Sequence, residues 1–104
     1  MPMTIDLEGI RSIVCRIVSQ ELRADVTGSV HSHKRKAGRL EVTFDLWVEL
    51  LGTRINRHLF VVIRPQYWNC GDFEKMVRNY ANSVIAKDLF KSLHADLVKK
   101  AEMN

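Results

Sequence analysis

Lys34, Arg35, Lys36 and Arg39 are four basic side chains within a run of six residues, and no carboxylate interrupts them. His31 and His33 precede them directly. Clustered ammonium and guanidinium groups bind phosphate, because each replaces a counterion on a polyanion and donates hydrogen bonds to its oxygens. Trp47 and Phe60 are aromatic residues that can stack on nucleobases, and Arg54 adds a planar cation of the same use. The expected site is therefore a nucleic-acid contact made by Lys34, Arg35, Lys36, Arg39, Arg54, Trp47 and Phe60. The competing reading is a solvated loop whose charge keeps an exposed hairpin soluble.

Other chemistry has weaker support. On a strand, His31 and His33 are two apart and share a face. His31, Asp45 and His58 could form a row across a sheet, with ligands suited to zinc. Polar-face histidines are ordinarily just solvated, and no metal or cofactor is assigned. The chain has no Gly-x-Ser-x-Gly elbow, no Gly-rich phosphate loop and no dinucleotide fingerprint. The expectation is a protein that is not an enzyme. Cys15 and Cys70 are not in a Cys-x-x-Cys pair and read as two reduced thiols, Cys70 lying just before a helix start that would favour its thiolate.

The elements that must carry these residues can be read from periodicity. Leu7, Ile10, Ile13, Val14, Ile17, Val18 and Leu22 recur at spacings of three and four, which predicts a helix over 5–23 capped by Thr4 or Asp6. A first strand is expected over 26–35, followed by a turn at Ala37-Gly38. Residues 39–50 alternate without a break, Leu40, Val42, Phe44, Leu46, Val48 and Leu50 on one side, the signature of a strand with one buried face. A third strand follows over 53–64 after a turn at Leu51-Gly52.

That two-residue turn pairs Leu50 with Thr53, Val48 with Ile55, Phe44 with Leu59, Val42 with Val61 and Leu40 with Ile63. It sets Glu49 beside Arg54 and Asp45 beside His58 on the other side. Arg57 falls opposite Leu46 on the buried side, which suits a position at a sheet edge with its head in solvent. Asp72 is the expected cap of a helical region over 73–102. Phe73, Met76, Val77, Tyr80, Ala81 and Val84 form one apolar stripe there, and Ala86, Leu89, Phe90, Leu93 and Leu97 form another. At 100° per residue the two stripes point in nearly opposite directions. Either the helix breaks near 86–88, or it runs on for about 45 Å and meets another subunit. On the second reading Leu89, Phe90, Leu93 and Leu97 form an oligomer interface, with Trp47 a further contact.

At the level of the whole chain, 104 residues with 46% apolar and 27% charged side chains fit one α+β domain over 1–104. The fold expected is a two-layer sandwich: a helix, a three-stranded antiparallel meander, and one long or two shorter C-terminal helices. The order is similar to that of the double-stranded-RNA-binding domain in topology alone. That family's second helix opens with a lysine-rich patch that grips phosphates. The equivalent stretch here, Gly71-Asp72-Phe73-Glu74-Lys75, is acidic, and the chain is not assigned to the family.

The formal net charge of +4 sits in 31–64, where Lys34, Arg35, Lys36, Arg39, Arg54, Arg57 and Arg64 face only Glu41, Asp45 and Glu49. No signal peptide or membrane-spanning run is recognisable, and the expectation is a soluble, cytoplasmic chain. Two functions remain in view: a small binding protein for nucleic acid, or a homo-oligomeric or partner-binding module.

Overall fold

The computed structural model describes residues 6–102. Helix α1 (Leu7–Leu22) leads into strands β1 (Asp25–Lys36), β2 (Arg39–Leu50) and β3 (Thr53–Ile63). A 3-10 turn (Pro65–Tyr67) then leads into a continuous helix of 33 residues, made of α2 (Cys70–Tyr80), a π segment (Ala81–Ile85) and α3 (Ala86–Glu102). The chain is an α+β sandwich, with an antiparallel sheet in the order β1-β2-β3 and the helices on one face.

Asp6 caps α1, its carboxylate accepting the Glu8 N–H at 3.1 Å. The alternative cap, Thr4, lies outside the described residues. Ile10, Val14, Ile17, Val18 and Leu22 are buried and Leu7 and Ile13 pack at their margin, the stripe that the spacing predicts. The register of β2 with β3 is also the expected one, from Leu40 opposite Ile63 to Leu50 opposite Thr53. Both hairpin turns have two residues at positive φ, Ala37-Gly38 and Leu51-Gly52, the geometry that matches strand twist.

The C-terminal helix differs from expectation in three ways. Its cap is Asn69, whose side chain accepts the Asp72 N–H at 3.2 Å, so the helix starts at Cys70 and Asp72 lies in the first turn. It runs on as one long helix, the second of the two expected forms, but with a π segment inside it. The π segment acts as a one-residue insertion, turning α3 by about 100° relative to α2. Phe73, Val77, Ala81, Ile85 and Leu89 thereby stay on one buried line. Leu89 is consequently a core residue of its own chain, which removes it from the expected oligomer interface. Phe90 and Leu97 remain exposed and Leu93 is half-buried.

Side-chain bonds fix the helix along β3. Arg57 Nε donates to Asp88 Oδ2 at 2.8 Å, and the buried Thr53 hydroxyl donates to Asp96 Oδ2 at 2.6 Å. Arg57 does lie on an edge strand, but its head is paired with α3 and not left to solvent. Arg16 meets Glu74, and Arg78 and Asn82 meet Glu21, which clamps α1 alongside α2 in the same direction. Among the described residues no helix is long and apolar enough to cross a membrane.

Candidate nucleic-acid interface

Because all helices share one face, the other face of the sheet is open. Its outward rows follow from the register. Near the β2–β3 turn stand Asp25, Glu49 and Arg54, then Thr27, Trp47 and Asn56, then Ser29, Asp45 and His58. Toward the β1–β2 turn follow Ser32, Thr43 and Phe60, then Lys34, Glu41 and Val62, then Lys36 and Arg39. Arg64, just past β3, continues the outward series of Phe60 and Val62, and lines a depression of about 410 Å³ together with Arg39. The face is polarised, acidic at one end and basic at the other.

A bulge in β1 shapes this arrangement. The pairing shifts between Val30 and Ser32, so His31 is the extra residue. His31 therefore turns outward and stacks on His58, ring centroids 4.8 Å apart, while His33 lies opposite Val42 on the other face. The two histidines do not share a face, as plain alternation would require. His58 Nε2 lies 3.3 Å from Asp45 Oδ1, and Asn56 Nδ2 donates to the same oxygen. His31, Asp45 and His58 are thus neighbours, but their rings stack face to face. Among the described residues no three His, Cys, Asp or Glu side chains converge as metal ligands.

Strand alternation divides the basic run, and the bulge decides which part faces outward. Lys34, Lys36 and Arg39 point to the open face, whereas Arg35, opposite Leu40, points to the helix side. The only acid in the outward basic rows is Glu41, flanked by Lys34 Nζ at 3.6 Å and Arg39 Nη2 at 3.5 Å. One carboxylate shared at these distances neutralises part of two cations and leaves Lys36 and Arg64 without an ion pair among the described residues. Arg39 Nε is buried and has no hydrogen-bond partner among the described residues.

No family model matches the chain, and no curated protein or solved structure does. The site must therefore be read from its own geometry. Arg54 and Trp47 are not brought to the basic end, since positions 47 and 39 are about 27 Å apart along β2. Arg54 lies over the Trp47 ring, its Cζ 4.2 Å from the centroid, and so occupies the indole face that a base would use. Trp47 is only 39% exposed, Phe60 59%.

Phe60 is the freer aromatic of the two. It adjoins Lys34 at a second depression of about 380 Å³. Tyr67 and Trp68 are adjacent in the loop before α2, but they do not share one environment. Trp68 packs against the core, 5.0 Å from the Phe73 ring, but Tyr67 is 79% exposed beside Arg39 and Arg64. Its place depends on the Pro65–Tyr67 turn, which no local pattern in the sequence announces.

Cys15 and Cys70 are both free, and the site uses neither. Burial pushes the Cys15 thiol up, partly offset by Arg11 beside it. Cys70, at the start of α2, is exposed.

Proposed function

We propose that this chain is a non-enzymatic nucleic-acid-binding protein that grips phosphates with the basic end of its open sheet face. Lys34, Lys36, Arg39 and Arg64 make the backbone contacts, and Arg35 can reach a phosphate only from the helix side. The observation that carries the reading is the gathering of these four cations in adjacent outward rows whose one acid is Glu41, with Asp72 in the depression that Arg39 and Arg64 line. An excess of positive charge at one end of an uncovered face attracts a polyanion.

Charge substitutions test it in both directions. Lys36→Gln and Arg64→Gln are each expected to weaken binding of a mixed oligonucleotide pool and to lower the slope of log affinity against log salt by about 0.7–0.9. Glu41→Gln is expected to strengthen binding, because it removes the acid that stands between Lys34 and Arg39. Unchanged affinity in all three variants, measured by fluorescence anisotropy, contradicts the proposal.

A second reading has its own support at the opposite end. Leu51 is 77% exposed and holds a left-handed φ of 52°, conditions that neither burial nor backbone preference favours in a leucine. It lines a depression with Leu93 and Leu97 on α3. Strain of this kind with exposed apolar area fits self-association through the β2–β3 turn and α3. Sedimentation at increasing concentration tests this, and a strict monomer excludes it.

A further inference from the structure

The basic end offers two candidate ways to meet nucleic acid: the hairpin tip entering a groove, or the sheet face receiving a strand. The first fails on width. Strand β3 pairs with β2 as far as Leu40 and Ile63, next to the Lys36–Arg39 turn, so the tip is three strands wide. Two strand gaps of about 4.8 Å set the outer backbones roughly 10 Å apart before any side chain is counted. A major groove of about 12 Å admits a helix or a two-stranded ribbon, and a third strand with its side chains does not fit.

Laying a duplex along the face meets a second obstacle. A duplex is stiff over about 150 base pairs and carries phosphates all along its length. Placed lengthwise on the sheet, it would carry them from the basic rows onto Asp45, Asp25 and Glu49. A flexible strand can stay on the basic end alone.

What the face presents there is suited to exposed bases. Phe60, in an outward row, and Tyr67, at the edge depression that Arg39 and Arg64 also line, are open aromatic rings. Phe60 and Arg64 are four residues apart on one outward line, about 14 Å. A duplex hides the flat faces of its bases, whereas a single strand offers them to aromatic side chains and its phosphates to the arginines.

We infer that the ligand of this face is single-stranded nucleic acid, with bases stacked on Phe60 and Tyr67 and the backbone crossing Arg39 and Arg64. This rests on the nucleic-acid reading above and narrows it to one class. Both rings are exposed, so replacing them leaves the core intact.

The test compares a mixed-sequence single strand of about ten nucleotides, within the usual site size, with the same sequence as a duplex, at one low salt concentration. The single strand is expected to bind about tenfold more tightly. Phe60→Ala and Tyr67→Ala are each expected to weaken the single strand about tenfold and to leave duplex binding unchanged. Phe60→Leu, which keeps apolar area but removes the ring, is expected to behave like Phe60→Ala. Equal or tighter duplex binding, or full single-strand binding by both alanine variants, overturns this inference and leaves the broader reading standing. No binding of either probe overturns both.

Discussion

At the scale of single residues, two side chains on the helix side show how closely α1 meets the sheet. Gly28 lies opposite Leu46, and a Cβ there would stand 2.7 Å from Cys15 Sγ and 2.9 Å from Leu46 Cδ2. Gly28→Ala is therefore expected to destabilise the fold by about 1–3 kcal/mol in urea denaturation, the usual cost of overpacking. Adding Cys15→Ala should recover part of that loss, since the two changes share one contact. Cys15 also gives the fold a pH dependence. Its folded-state pKa is raised by burial, so the folded state holds the proton longer than the unfolded state does. Stability is then unaffected below the ordinary thiol range, near pH 8.5, and falls as pH rises beyond it. Tyr80, raised chiefly by burial, adds a loss of the same sign at higher pH. The Cys15→Ala variant should show a smaller alkaline decline, and an identical decline would assign the effect elsewhere.

At the scale of elements, the contrast between β1 and β2 explains what the sequence could reveal. In β2 and β3 each alternation has a buried side, and the two constrain each other, so their register was legible pair by pair. In β1 the half from His31 to Lys36 is exposed on both faces. No apolar residue marks the phase there, so the bulge at His31, which puts Lys34 and Lys36 rather than Arg35 on the open face, left no signal. The C-terminal stripes of α2 and α3 did carry a signal, a change of phase near residue 86. A π segment resolves it without a break, a solution that residue spacing alone does not distinguish from a kink. The phase has a measurable consequence. Leu89→Ala is expected to cost about 2–5 kcal/mol and Phe90→Ala less than about 1 kcal/mol, because only Leu89 is in the core. Comparable losses at both positions in thermal or urea unfolding would contradict the rephased helix. The turn at Leu51 supplies the opposite case, where Leu51→Asn should raise stability by roughly 0.5–1 kcal/mol by accepting the left-handed φ more readily.

At the scale of the molecule, shape and charge act together. The Cα radius of gyration is 15.9 Å and the longest extent 63 Å, against about 13 Å expected for the radius of a compact chain of this length. The elongation separates a basic end, at the β1–β2 turn, from an end where Leu51, Phe90 and Leu97 are exposed. The sheet between them is bare on one side, and its outward rows pass from Asp25 and Glu49 to Lys36 and Arg39. The two proposed readings therefore use distinct surfaces, one for an anionic strand and one for a second copy. The basic one carries the central claim. The most direct measurement of it is the affinity of the unmodified protein for a labelled single-stranded oligonucleotide between about 50 and 200 mM salt. Engagement of three or four cations predicts a log–log slope of roughly −2 to −3. A slope near zero, or no association at the lowest salt, would contradict the account.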